Sequence, residues 1–159
     1  MKIVPSVLTL WVLTTGIGVF AAPPADEKED KAKEAKKLQG TWKIVAAEFS
    51  GKKMEIKDVG IDRIVVSGEK MTLKNGDKEV ATYTFELYPD RKPKGLLWKK
   101  ETKEGTGLHP TIYEIDGTKL KLCFPLLSAE KPKEAPKPPE SFDTKGKPLG
   151  LLVAEREKR

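Results

Sequence analysis

The chain has 159 residues, with one cysteine, one histidine, and 30 lysines and arginines against 24 acids for a formal charge of +6. A lone thiol excludes a disulfide-stapled fold, and a lone histidine excludes metal sites built from several imidazoles. The positive excess is spread along the chain rather than gathered on one segment, which argues against a specific nucleic-acid binder.

Residues 1–21 read as a secretory signal. Lys2 precedes an uncharged, mostly apolar run from Ile3 to Phe20, and the small pair Ala21 and Ala22 stands ahead of Pro23. Cleavage after Ala21 leaves the modest Val19 at the third position back. Pro5, Gly16 and Gly18 weaken the alternative of an uncleaved anchor. The mature chain is thus expected to be exported, periplasmic or extracellular, with no stable membrane span once the signal is removed.

Residues 22–37 form a charged leader that the spacing predicts to be helical. Asp26 and Glu29 suit a capping box, and Glu27 with Lys31 and Glu29 with Lys33 are acid-first pairs four apart. Ala32, Ala35 and Leu38 make a thin apolar stripe, so the helix is expected to rest lightly on the domain. Gly40 ends it.

From Thr41 the spacing changes to short alternating runs, predicting strands at 41–49, 61–67, 70–74, 79–88, 95–100, 111–116, 118–124 and 148–156. Asn75-Gly76 and Asp116-Gly117 suit tight hairpins with positive φ, while Ser67-Gly68 and Ser50-Gly51 suggest looser turns. Parity puts Met71 and Leu73, then Ala81, Tyr83, Phe85 and Leu87, then Leu96 and Trp98 on one face. Thr111, Tyr113 and Ile115 continue that face, as do Leu120, Leu122 and Phe124, and charged residues fill most alternate positions. A sheet with one dry face must curl or split. The expected fold is all-β, an eight-stranded antiparallel up-and-down barrel with a short N-terminal helix; the alternative is a β-sandwich. Within this domain, 38–156, the stretch 125–141 is a proline-, lysine- and glutamate-rich loop that cannot pair in a sheet.

Gly-x-Trp at the head of the first strand, after a short helix, resembles the entrance of lipocalins and of intracellular fatty-acid-binding barrels. That resemblance implies that Trp42 closes one end of the barrel and that a basic residue of the last strand, Arg156, packs across its ring. "LQGTWKIVAAEFSGKKM", "TIYEIDGTKLKLCF" and "KPPESFDTKGKPLGLLV" together resemble an uncharacterised family of secreted planctomycete domains. The likeness runs from Leu38 to about Val153, with a longer proline insertion here. It implies a lipocalin-like fold and no established activity.

The chemistry-bearing residues are few. His109 precedes Pro110 and reads as an ordinary loop residue. Glu86 and Glu114 fall on the wet face, and no serine sits in a nucleophile elbow. Cys123 shares the parity of Lys119 and Lys121, so it is either a half-exposed thiol activated by cations or a small filler beneath the proline loop. Arg91, Lys92, Lys94, Lys99, Lys100 and Lys103 are the one local gathering of cations. No metal, cofactor or enzymatic role is expected. The expected function is a non-catalytic binding module for a small apolar ligand lined by Trp42, Tyr83, Phe85, Trp98, Tyr113 and Leu122, or for a partner at the barrel mouth. The rival is an envelope-associated protein that meets acidic polymer or protein through its lysine-rich face.

Overall fold

A computed structural model describes residues 25–103, 105–126 and 136–158. The signal segment and most of the proline-rich loop lie outside these. Among the described residues, no helix is long and apolar enough to cross a membrane.

Helix α1 (Ala25–Leu38) leads into strand β1 (Gly40–Phe49), the short strand β2 (Lys52–Met54) and a one-turn helix α2 (Ile56–Val59). Strands β3 (Arg63–Ser67), β4 (Lys70–Asn75), β5 (Lys78–Tyr88), β6 (Gly95–Thr102), β7 (Gly105–Asp116), β8 (Lys119–Pro125) and β9 (Leu149–Arg156) come next along the chain. Every neighbouring pair is antiparallel, and β1 meets β9 from Trp42↔Arg156 to Phe49↔Gly150, so β1 and β3 to β9 close into an eight-stranded barrel. The expected barrel is what forms, and the sandwich is not. Closure has its cause in composition: a strongly twisted sheet with one apolar face hides that face and both its edges by joining them.

Strand β2 is a ninth strand that the periodicity does not reveal. It has three residues, all exposed, and it pairs with β1 at Ala47↔Met54 to Phe49↔Lys52. Its turn is also tighter than expected. Ser50 and Gly51 both have positive φ, 51° and 81°, the pattern of a type I′ hairpin. At Asn75↔Lys78 and Asp116↔Lys119 the two-residue loops begin on Gly76 and Gly117, where positive φ falls on the first loop residue alone, as in type II′.

Strand β7 begins at Gly105, well before the expected residue 111, and so takes in His109 and Pro110. Strand β8 pairs with β7 only from Ile112↔Cys123 onward, which leaves the first half of β7 with β6 on one side alone. Pro110 lacks an N–H and is tolerated on such a free edge.

The inward parity matches the expected dry face. Trp42, Ile64, Met71, Leu120 and Leu122 have no exposed surface, and Leu96 and Tyr113 have 1% each. Side chains buried to this degree leave no space beside them for a water molecule, so the barrel is filled at their level, as eight strands permit.

Helix α1 is not a light passenger. Leu38 is wholly buried and Glu34 is 6% exposed, whereas Ala32, expected in the apolar stripe, faces solvent. The docking face is Glu34, Ala35 and Leu38. The pairs Glu27–Lys31 at 2.9 Å and Glu29–Lys33 at 2.8 Å lie outside that buried face.

Candidate functional site at the upper mouth

The two ends of the barrel differ. At the lower end, where β1 starts and β9 finishes, the Trp42 indole N–H donates to the carbonyl of Leu38 at 2.8 Å. The Arg156 guanidinium carbon lies 4.1 Å from the centroid of that indole, and its two terminal nitrogens donate to the carbonyls of Gln39 and Lys37. Gly40 has φ +117°, and a Cβ there would sit 3.0 Å from Arg156 Nη1, so only glycine lets the helix end approach this pair. Beside it the Tyr113 hydroxyl donates to Glu34 Oε2 at 3.3 Å, and Lys37 and Lys94 reach Glu34 Oε1 at 2.7 and 3.0 Å. Burial pushes the Glu34 carboxyl upward, yet the hydrogen bonds and charges of the two lysines prevail and hold it below its ordinary value. Burial raises the Tyr113 phenol, and the neighbouring carboxylate adds to the effect.

Of the residues expected to line a ligand, Trp42, Tyr113 and Leu122 therefore belong to this packed lower half. Tyr83, Phe85 and Trp98 come together higher up, where Phe124 of the expected dry face joins them along with two partners unforeseen from sequence, Phe49 and His109. Phe49 stands edge-on to Phe124 with centroids 6.4 Å apart. Phe124 lies 5.8 Å from Trp98, Trp98 lies 5.5 Å from Tyr83, and Tyr83 meets His109 edge-on at 5.7 Å. Five rings thus form one continuous row across the upper interior. Phe85 pairs with Trp98 in register. Strand parity turns all of them inward; Gly150 faces inward between Phe49 and Phe124, and a Cβ on it would stand 2.7 Å from the Phe124 ring.

The row contains one unsatisfied donor. Trp98 is 5% exposed, and its Nε1 is buried without a hydrogen-bond partner. An orphaned N–H of this kind costs about 1–3 kcal/mol relative to a satisfied one. Phe49, Tyr83, Phe85, Phe124 and His109 are all partly exposed, so the row is reachable from the mouth. Burial, with a contribution from Lys100, lowers the His109 pKa and favours the neutral ring. Lys100 Nζ lies 5.7 Å from the Tyr83 ring centroid. His109 points into the barrel rather than standing in a loop, because extension of β7 gives it inward parity.

Cys123 is not the half-exposed thiol that its lysine neighbours suggest. It is wholly buried on the outer wall beneath the segment 136–148, where its thiol faces the Ser141 carbonyl at 3.6 Å, and burial raises its pKa to about 11. That segment is a strap across the barrel. Pro139 and Thr144 are buried, and the Thr144 hydroxyl donates to Glu48 and accepts from the Gly51 amide at 3.2 Å.

The six gathered cations do not share one surface. Lys94 serves Glu34, Lys99 pairs with Glu86 at 2.8 Å, Lys100 stands by Tyr83, and Arg91 lies over Tyr88. Among the described residues, no three of His, Cys, Asp and Glu converge to hold a metal ion. Comparison of the chain with protein families, with curated proteins and with solved structures gave no match.

Proposed function

We propose that this chain is an exported, non-catalytic binding domain whose ligand seats on the aromatic row at the upper mouth of the barrel. The observation that carries the reading is the buried, unpartnered Nε1 of Trp98 in the middle of five rings. A donor left unsatisfied in an apolar setting calls for a partner, and an acceptor on an incoming ligand would supply one. The ligand class is a small molecule with an apolar body and one hydrogen-bond acceptor. It is small because the interior below the row is filled by side chains. Tyr83 or Phe124, which flank the indole, swings aside to admit the acceptor. Export rests on the apolar stretch ending at Ala21 and on the resemblance to secreted planctomycete domains.

The test is the indole N–H resonance of Trp98 in the ¹⁵N-labelled chain, assigned through Trp98→Phe. Myristate, benzoate and anilinonaphthalene sulfonate serve as probes. The reading expects at least one of them to move the Trp98 signal saturably downfield while the Trp42 signal stays in place. If none of the three moves it, or if both indoles respond alike, the mouth is not a binding site.

A further inference from the structure

The outside of the barrel carries a groove that does not depend on the mouth. Two cavities of about 450 and 290 Å³ adjoin on the outer wall and share Arg91, Lys92 and Pro93. Ile112, Pro138 and Pro139 complete the apolar part of the first, and Phe142 contributes to the second. Four cations and two carboxylates line the pair. Lys94 is committed to Glu34, and Glu114 is neutralised by Lys121 at 2.8 Å. That leaves Arg91, Lys92 and Lys137 against Glu140 alone. Asp90 faces away, into the crevice beside α1 with Lys33 and Lys37.

Arg91 is exposed, and its side chain lies across a ring. Its guanidinium carbon stands 4.6 Å from the Tyr88 ring centroid, and its amide donates to the Tyr88 carbonyl at 3.4 Å. Gly95 makes room for this arrangement, since a Cβ there would come within 3.3 Å of both Arg91 Cδ and Tyr88 Cβ. A guanidinium resting on a ring keeps its planar fork open to a carboxylate.

We infer that this outer groove binds an extended acidic peptide, with Arg91 as its anchor. An extended chain of alternating acidic and apolar residues carries carboxylates on one side and apolar side chains on the other. The groove offers the complement, cations at its rim and prolines with Ile112 on its floor. The apolar lining of Pro93, Ile112 and Pro139 has no counterpart in an acidic polysaccharide, which favours a peptide.

The experiment uses the full chain and a fluorescein-labelled peptide of alternating Glu and Val, roughly eight residues and about 27 Å long when extended. Anisotropy titration at low salt should saturate, and Arg91→Ala should weaken binding at least roughly tenfold, as loss of a charge-assisted fork does. Gly95→Ala, which keeps the arginine but displaces it, should weaken binding as well. Lys57→Ala and Lys119→Ala, on other faces, should leave it unchanged. Three results would overturn the inference: no saturable binding, equal losses from the Lys57 and Lys119 variants, or equally tight binding of polygalacturonate at matched charge.

Discussion

Arg156 lies over the face of Trp42 at 4.1 Å while its fork grips the carbonyls of Lys37 and Gln39, so one side chain of the last strand joins the plug of the barrel to the end of α1. Lysine in its place keeps the charge but not the two-pronged geometry. Arg156→Ala is expected to lower unfolding free energy by about 2 kcal/mol, and Arg156→Lys by about half as much. Urea titration followed by circular dichroism checks both. Equal stability of Arg156→Lys and the parent would show that charge alone suffices.

Glu34 and His109 shape the acid side of the stability profile. Both are held below their ordinary values of 4.5 and 6.5, so in each case the unfolded chain takes up the proton first. Stability from His109 is present above 6.5 and is lost as pH falls through its depressed value. That from Glu34 is present above 4.5 and is lost as pH falls further. Unfolding free energy measured from pH 7 down to about pH 3 should therefore decline in two stages. The lower stage, which Glu86 beside Lys99 shares, should shrink in Glu34→Gln, and the upper one should flatten in His109→Phe.

Gly150 faces the Phe124 and Phe49 rings with no room for a methyl group: a Cβ on it would stand 2.7 Å from the first and 3.0 Å from the second. Gly150→Ala should cost about 1–3 kcal/mol through overpacking. Phe124→Leu, introduced together with it, should recover part of that loss. A double variant no more stable than the additive expectation would place the strain in the backbone rather than in the ring.

Cys123 is expected to react slowly with a disulfide reagent at pH 8, because it is wholly buried under the strap and its pKa is raised to about 11. Thr144→Val removes the hydroxyl that bonds Glu48 and the Gly51 amide, and so loosens the strap. Thiol labelling of Thr144→Val should be roughly tenfold faster than that of the parent under conditions where both remain folded. Unchanged labelling would mean that Thr144 does not hold the strap down.

The barrel was legible because its signals are local and repetitive. Parity along Ala81, Tyr83, Phe85 and Leu87, and along Leu120, Leu122 and Phe124, reports a dry face whatever that face packs against. The missed features all depend on distant partners. Strand β2 has no apolar alternation to betray it, and it exists because β1 offers an edge beyond the reach of β3. Cys123 is not among the missed features: of its two readings, the filler beneath the proline loop is the one that forms, buried by the strap that returns 16 residues later at Pro139. Glu34 does carry a faint signal, one helical turn before Leu38 on the same face, but a charged residue on a docking stripe is easily read as surface. Tyr83, Phe85 and Trp98 were recognisable as inward rings. Their junction with Phe49, Phe124 and His109 was not, since it requires the meeting of five different strands.

Strand β1 finds its longest partner in β9, which comes from the opposite end of the chain. During synthesis the first strand therefore has to wait, with one flank bare, until Leu149–Arg156 emerge, and no nascent chain that stops short of them can seal the cylinder. Such distant pairing slows folding and prolongs exposure of open strand edges to other chains. A chaperone that shields the unmatched flank of residues 40–49 would act over this whole interval, and a chain interrupted before Leu149 would leave the ring permanently unsealed.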